Sequence, residues 1–295
     1  MTEHLPHDRS QESQESPSQE PEKQSFLGII IHSFFVIPFL IVVFGLLLFA
    51  AVRILTSESK TPSDYLSDVK NGGLPKRWQS AFELSKAMSN VSSISTDDAF
   101  IDKLIEAFNN SDRDDPRVRQ YLALAMGKSK NKKCVEPLLK SLIDKDLENL
   151  FSSIYALGVI GQPNSASSIW PFLKHENSHV RLVAAMALGN ITNTASIEQL
   201  KRVLNDEEAN VRWDAAIALA KLNDKSGKSI LLNLLDRAYL NGFAQLDPQE
   251  KTQILIVTIE ATKYLNDPEI QMVVRKLSDS DQNMNVRKAA MASIK

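Results

Sequence analysis

The residues of this 295-residue chain that could do chemistry are few and scattered. There are five histidines, and the chain has one His-Glu dipeptide, His175-Glu176. A zinc or iron site needs several His, Cys or carboxylate ligands at one point. The nearest such spacing, from His4 to Asp8, falls in a polar stretch that favours solvated side chains. P-loop, HExxH, GxSxG and CxxC motifs are absent. The sequence therefore predicts no catalytic residue, metal or cofactor, and we expect the chain not to be an enzyme.

One compact group of charged side chains is a candidate for binding. The turn predicted at GKSKNKK carries four lysines, which are Lys128, Lys130, Lys132 and Lys133. Close to a bilayer they would attract anionic lipid headgroups, worth ~1 kcal/mol for each lysine near the surface. The alternative is a solvated turn that only links two helices.

The first of these lysines ends a sequence segment whose pattern of apolar and small residues recurs at a fixed spacing. Four similar segments begin at Val118, Asn149, Val180 and Val211, each 31 residues after the previous one. From Val180, apolar residues recur at i, i+3, i+4, i+7 and i+8, as on the core-facing stripe of an α-helix. Glycine or alanine holds one equivalent position in all four segments, which indicates that these helices approach one another closely. A period of this length indicates stacked supersecondary units. Shorter outer helices are predicted near residues 135–143, 165–173, 196–204 and 229–240.

The segments resemble the HEAT repeat family in its short form, often called the PBS-lyase HEAT-like repeat, in which Val-Arg opens the inner helix of each pair. The matching arginines are Arg119, Arg181, Arg212 and Arg287. Asp206 and Asp281 stand six positions before the last two of them, and the resemblance implies that such residues form a ladder through the turns. We expect the ladder to be interrupted where Arg113 and His175 take the acidic position. The resemblance implies an all-α solenoid of about six helix-pair repeats over residues 76–295.

Two classes of enzyme contain a repeat of this kind. Deoxyhypusine hydroxylase binds two irons through several His-Glu dipeptides on inner helices, whereas this chain has one such dipeptide, in a predicted turn. Bilin lyases share the repeat, but no residue set for handling a tetrapyrrole is evident in this sequence. An enzyme or metal binder of either type stays open as an alternative.

The period breaks after the fourth segment. The alanine expected at position 249 returns at Ala261, so about 12 residues are inserted. The inserted stretch carries Tyr239, Phe243 and Leu246. Because insertions in solenoids often form a binding face, we expect these side chains, with the four lysines, to contribute an interaction surface. The alternative is that they fold back onto the neighbouring helices.

The N-terminal part of the chain differs from the repeats. Residues 1–25 are acidic and rich in Ser, Gln, Glu and Pro, which predicts a disordered tail. Residues 26–55 predict a single transmembrane helix, because 28 consecutive residues ending at Val52 carry no formal charge and about 20 apolar residues suffice to cross a bilayer. Lipid would contact residues 26–52. A juxtamembrane linker with a short helix follows at residues 56–75.

Basic residues on either side of this helix predict its orientation. Arg9 and Lys23 precede it, and Arg53, Lys60 and Lys70 follow it. Positively charged flanks stay on the cytoplasmic side of a membrane. The excess of one charge predicts a cytoplasmic repeat domain, anchored in a bacterial inner membrane by one span.

Composition narrows the classes of partner. The formal net charge is −2, with 34 basic and 36 acidic residues, so no basic field indicates nucleic acid. The single cysteine, Cys134, excludes an intramolecular disulfide and favours a reducing compartment. We therefore expect a membrane-anchored, non-catalytic scaffold that binds another membrane-associated protein through its inner helices, as an accessory to a membrane complex. A further alternative is that the transmembrane helix itself assembles with a transporter.

Overall fold

Residues 32–56, 60–89 and 97–294 are described by the computed structural model, and their regular structure is entirely helical. The predicted acidic tail at residues 1–25 lies outside these ranges, and so do the first residues of the predicted transmembrane helix. The predicted all-α class is therefore confirmed for the described part of the chain.

The first of two units, Met1–Ser59, contains one long apolar helix. A π-helical turn at His32–Val36 leads into α1, Ile37–Thr56. Pro38 has no N–H to donate to the carbonyl group four residues earlier, and a wider turn accommodates that loss. Among the described residues, Phe34–Arg53 is the one stretch long and apolar enough to cross a membrane.

The second unit, Lys60–Lys295, consists of stacked helix pairs. Its helices are α2 Pro62–Asn71, α3 Leu74–Ala87, α4 Asp98–Asn109, α5 Pro116–Ser129, α6 Val135–Lys140, α7 Leu147–Ile160, α8 Ala166–Ile169, α9 Ser178–Ile191, α10 Ile197–Val203, α11 Ala209–Lys221, α12 Lys228–Leu234, α13 Arg237–Asn241, α14 Pro248–Thr262, α15 Pro268–Ser280 and α16 Met284–Ser293. The inner helices, each packed against the next, are α3, α5, α7, α9, α11, α14 and α16. This is the solenoid that the repeat period predicts.

The described residues hold seven helix pairs, where about six are predicted. The additional pair is α2 with α3, because Leu66 and Val69 of α2 are buried in the same core as the repeats. Thr61 begins α2 with a capping box to Asp64, as its Thr-Pro-Ser-Asp sequence predicts. The compact unit thus begins at Lys60, upstream of the predicted boundary at residue 76.

Residues at the two ends of the inner helices explain where each helix begins and stops. Asp115, Asp146 and Asn177 accept hydrogen bonds from backbone N–H groups in the first turns of α5, α7 and α9, the favoured arrangement at a helix N-terminus. The left-handed residues that end these three helices are Lys130, Gly161 and Thr192, each 31 residues after the previous one. Both ends of the inner helices therefore follow the repeat period.

Three aligned glycines set the spacing between successive inner helices. A Cβ atom on Gly158 would lie 2.7 Å from the Cα atom of Ala187 and 2.8 Å from its Cβ atom. Gly127 and Gly189 meet the next inner helix in the same way. Real Cβ atoms do not approach other atoms so closely, so the close approach predicted from the aligned small residues is confirmed.

We expect Gly158→Ala to lower the free energy of unfolding by about 1–3 kcal/mol, because the backbone of α9 must shift to admit the added methyl group. Urea unfolding of the full chain, followed by tryptophan fluorescence, measures the change. Gly73→Ala is the control, because nothing lies within 4 Å of a Cβ atom there and its φ of −67° suits alanine. Equal losses for the two variants would contradict the role of Gly158 in helix spacing.

Candidate functional site

Arg181 of α9 joins two successive turns of the solenoid. Its Nε and Nη2 donate to the carboxylate of Asp206 at 2.8 and 2.9 Å. Its Nη1 donates to the backbone carbonyl groups of His175 and Glu176 at 2.9 and 3.0 Å. Hydrogen bonding to Asp206 raises the pKa of Arg181. Burial opposes ionisation of Asp206, but hydrogen bonds from Arg181 and a backbone N–H outweigh it and lower the Asp206 pKa. The two side chains are at most 10% exposed, so they form a buried bidentate ion pair.

Arg119 of α5 makes a similar bridge two repeats earlier. Its Nε donates to Asp144 at 3.0 Å, and its Nη1 donates to the backbone carbonyl of Phe108 at 3.1 Å. It also forms an ion pair with Asp112. Asp144 lies 25 residues after Arg119, as Asp206 does after Arg181, and Asp112 adds an ion pair beside position 113. The interruption of the ladder at Arg113 stays a prediction.

Arg212 and Arg287 bind the peptide backbone of their own turns. They donate to the carbonyl oxygens of Asp206 and Asp281 at 2.7 and 2.6 Å. The carboxylate of Asp281 instead binds Arg237 of α13 at 2.6 and 2.7 Å. The six-residue spacing brings the guanidinium to the backbone of its own turn and leaves the carboxylate for an earlier arginine, so the ion pairs join successive turns. Arg237 could have been identified from its place 25 residues after Arg212, where the next acid of the ladder is due.

The four lysines at the end of α5 and in the turn that follows lie in different surroundings. The Nζ of Lys128 donates to a backbone carbonyl of α3 at 2.9 Å, and burial lowers its pKa. Lys133 pairs with Asp102 at 3.0 Å, and this hydrogen bond raises the pKa of Lys133. Lys130 takes up the left-handed conformation that ends α5, and Lys132 is exposed. Contact of these lysines with lipid or protein stays a prediction.

The three side chains singled out on the insertion lie together and pack inward. Tyr239, Phe243 and Leu246 are half-buried against the core that contains Trp213. The ring centroid of Phe243 lies 4.8 Å from that of Trp213 and 5.2 Å from that of Tyr239. The insertion thus folds back onto α11, the alternative that the sequence leaves open. Its use as an interaction surface stays a prediction.

Apolar side chains of the inner helices form two rows across the repeats. One row is Tyr155, Met186 and Ile217, spaced by the 31-residue period on α7, α9 and α11. The other includes Phe151 and Leu182, both half-buried. Aromatic and methionine side chains arranged in this way are typical of the centre of protein interfaces.

A groove of about 350 Å³ opens where the first row meets α14. Its apolar lining consists of Tyr155, Met186, Ile217, Val257 and Tyr264, and Tyr264 is 48% exposed. The groove lies where the insertion separates α14 from α11, and these two helices pack less extensively than α9 and α11 do. The break in the repeat period therefore produces the opening.

Asp214 of α11 lies in this groove without a partner. It forms no hydrogen bond or ion pair with any residue that the structure describes. Burial raises its pKa to about 7, although the positive charge of Lys221 opposes this rise. Lys221 donates to the side chain of Asn190 at 2.7 Å, and burial lowers the pKa of Lys221. Glu260 and Lys263 of α14 complete the charged lining. A carboxyl group with a strongly raised pKa in a cleft marks a candidate functional site.

A second cavity, of about 570 Å³, lies beside the turns that precede α5 and α7. Its lining includes Asn149, which is 5% exposed and whose Oδ1 has no hydrogen-bond partner. The equivalent residue of the other regular segments is a valine. Two carboxylates of this lining, Asp112 and Asp144, already bind Arg119. The cavity therefore belongs to the arginine ladder.

We expect Asn149→Val to raise the free energy of unfolding by about 1–2 kcal/mol, because it removes a buried amide oxygen that has no donor. Thermal or urea unfolding of the full chain measures the gain. The reciprocal variant, Val180→Asn, places an amide at the equivalent buried position and should lose stability. A loss of stability in both variants would show that Asn149 is satisfied in solution.

No group of three or more His, Cys, Asp or Glu side chains is placed to hold a metal ion within the described ranges. The carbonyl groups of His175 and Glu176 bind Arg181, and Nδ1 of His175 accepts the N–H of Asn177 at 3.1 Å. The dipeptide therefore has a structural role in its turn. Burial raises the pKa of the Cys134 thiol to about 11, which keeps it protonated and unreactive.

Solved structures with a similar fold include part of an enzyme complex. A chain of the CpcE–CpcF complex of phycocyanin lyase from Nostoc sp. PCC7120 is 19% identical, with a TM-score of 0.57 over 81% of this chain and 97% of that one. A designed armadillo repeat protein in complex with the peptide (KR)4 is 18% identical, with a TM-score of 0.41 over 80% and 98%. At these identities the likeness concerns the fold alone. It nevertheless corrects the expectation that the chain is not an enzyme, because a fold that also occurs in a lyase complex cannot support that exclusion.

Sequence comparison identifies the family of the repeats. No curated protein matches this chain significantly. A family model described as HEAT repeats matches residues 101–179 and 168–241. The matched region contains the inner helices with the 31-residue period and the buried pair of Arg181 with Asp206. Residues 101–241 of the chain therefore belong to the HEAT-repeat family.

Proposed function

We propose that the inner-helix face of this chain binds another protein, with the groove between α7 and α14 at the centre of the contact. The observation that supports the proposal is an unpartnered carboxyl group, Asp214, in a groove lined by aromatic and aliphatic side chains. Binding energy in protein interfaces is concentrated in a few central side chains that fill such pockets. Tyr155, Met186 and Tyr264 are the side chains of the groove best suited to that role.

Partner binding is tested by crosslinking and affinity purification of the full chain from its native cells, followed by mass spectrometry. The groove variant carries Met186→Ala and Tyr264→Ala, and the control is Met272→Ala, which truncates a methionine that is 65% exposed on α15. We expect a partner that co-purifies with the native chain and the control and is reduced more than tenfold with the groove variant. Recovery of every co-purifying protein at equal levels from both variants would overturn the proposal.

We also propose that α1 anchors the chain in a membrane, with the repeat unit on the cytoplasmic side. Support comes from the length and apolar composition of Phe34–Arg53 and from the basic residues that follow it. A tether would raise the concentration of the repeats near a membrane-bound partner to ~mM values for a short linker. We expect the full chain to stay in the membrane pellet after alkaline carbonate extraction, and a variant with lysine at Leu46, Leu47 and Leu48 to be released. Release of the native chain would contradict anchoring.

A second candidate is a role like that of a phycocyanin lyase subunit, which the shared fold supports. The full chain would then bind a linear tetrapyrrole. Titration with a bilin should shift and sharpen the visible absorption of the pigment, and the groove variant should weaken that shift. An unchanged spectrum at a protein concentration of about 1 mM, the upper end of the about 1 μM–1 mM range of common substrate affinities, would remove this candidate.

A further inference from the structure

Asp214 departs from the repeat pattern at its own position. The equivalent residues of the three preceding segments, Tyr121, Ser152 and Val183, carry no charge. Asp214 caps no helix and forms no ion pair with a described residue, unlike the carboxylates of the ladder. Asp214 is half-buried, and a partly desolvated charge without a local partner lowers stability. A residue that breaks a local rule with no structural compensation is expected at a functional position.

The side chains around Asp214 suit a long cationic side chain. Tyr155 and Tyr264 present aromatic rings, and Met186, Ile217 and Val257 present aliphatic surface. An arginine stem covers such surface well, while its planar guanidinium stacks on tyrosine and pairs with a carboxylate in a bidentate manner. The volume of about 350 Å³ lies near the lower end of the range for ligand pockets and is enough for one side chain with its flanking backbone.

The other charged groups of the groove leave Asp214 available. The ammonium group of Lys221 binds Asn190 and lies outside ion-pair distance of Asp214. Lys263 lies over the ring of Tyr264, with its Nζ 4.9 Å from the ring centroid. Glu260 of α14 adds a second carboxylate to the lining. Each positive charge of the groove thus has a contact of its own, and Asp214 has none.

We propose that the groove receives an arginine side chain of the partner protein, with Asp214 as its counter-ion. This inference rests on the proposed function and specifies the chemistry of the partner. Asp214 and the two tyrosines select the guanidinium, and the rows of apolar side chains hold the flanking residues. Substitution of Asp214 removes the preference for charge without closing the groove.

The experiment compares two probes of nearly the same shape. Nα-acetyl-arginine amide is positively charged, and Nα-acetyl-citrulline amide carries an uncharged urea group in place of the guanidinium. Each is titrated into the full chain in detergent, with labelled methionine and isoleucine methyl groups observed by NMR. We expect the arginine probe to shift the methyl signals of Met186 and Ile217 and to bind at least tenfold more tightly than the citrulline probe. In Asp214→Asn, the two probes should bind equally.

A control variant and the partner assay separate the two proposals. Asp279→Asn, which neutralises an exposed carboxylate on α15, should leave the tenfold preference intact. Equal binding of the two probes to the native chain would overturn the arginine inference. If the two probes bound equally but the groove variant, Met186→Ala with Tyr264→Ala, still lost the partner, the arginine inference would fail and the proposed protein-binding function would stand. Equal binding of the probes together with an unchanged partner would overturn both.

Discussion

Replacing Arg181 with alanine is expected to lower the free energy of unfolding by about 3–5 kcal/mol, the usual cost of removing one partner of a buried ion pair. The substitution leaves the carboxylate of Asp206 nearly buried and without both of its guanidinium hydrogen bonds. It also removes the donor for the carbonyl groups of His175 and Glu176. Three groups in two turns lose their partner together, so the junction between α9 and α11 is weakened. Urea unfolding of the full chain, followed by tryptophan fluorescence, measures the loss.

Two further variants separate the ion pair from a general effect of arginine removal. Arg202→Ala changes an exposed arginine on the outer helix α10 and should alter the free energy of unfolding by at most about 0.5 kcal/mol. Asp206→Ala removes the other partner, and the double variant should lose much less than the two single losses added together, because both act on the same pair. Additive losses, or a loss below about 1 kcal/mol for Arg181→Ala, would contradict a buried pair.

Most of the fold can be predicted from the repeat, because each position of the repeat has one structural role. Apolar residues at helical spacing form the core, and Gly158 leaves room for the backbone of α9. Gly161 ends α7 at the place where Lys130 ends α5. These roles depend on residues close in the sequence or in the next repeat, so they can be predicted from a single sequence. Pairing of α2 with α3 is harder to predict, because α2 shares no motif with the later segments and joins the core through Leu66 and Val69.

The partners of the ladder are less predictable because they depend on distances between copies. Asp206 lies six residues before Arg212, yet its carboxylate binds Arg181, 25 residues earlier. A side chain in a turn can face its own helix or the preceding copy, and sequence spacing does not distinguish the two. At the insertion, Arg237 takes the position of an acid and binds Asp281, 44 residues later. The insertion therefore replaces one ladder partner with another.

The groove is the feature that sequence reasoning identified least, because it arises from what the insertion does to packing. The sequence predicts an interaction surface from the aromatic residues of the insertion, but these residues pack against Trp213. Beside them, α14 packs less extensively on α11 than α9 does, and Asp214 lines the groove at this place. The signal in the sequence was the single charge at a position that is uncharged in three other segments. Comparison of the copies position by position would have found it.

Asp214→Asn is expected to stabilise the chain at pH 8 by about 2–4 kcal/mol and by at most about 1 kcal/mol near pH 4.5. Asparagine resembles the protonated carboxyl group in shape and charge, so the variant reports the cost of ionising Asp214 in the groove. The pKa of Asp214 is about 7 in the folded chain, above its ordinary value of 3.8. The folded state therefore holds this proton more tightly than the unfolded state does. The contribution of the neutral carboxyl group to the free energy of unfolding of the native chain is fully present below pH 4. It is lost as the pH rises to about 7.

Urea unfolding of the native chain and of Asp214→Asn at several pH values between 4.5 and 8 tests this difference. Other carboxylates have lowered pKa values, among them Asp206 and Asp281, and they lose stability in acid in both proteins. Their contribution cancels when the two curves are subtracted, and the remainder should grow as the pH rises from about 4 to about 7 and stay constant above that. Asp279→Asn, which changes an exposed carboxylate on α15, is the matched control. A flat difference for Asp214→Asn would mean that the folded chain does not penalise ionisation of this carboxylate, and it would remove the physical basis for an arginine supplied by another protein.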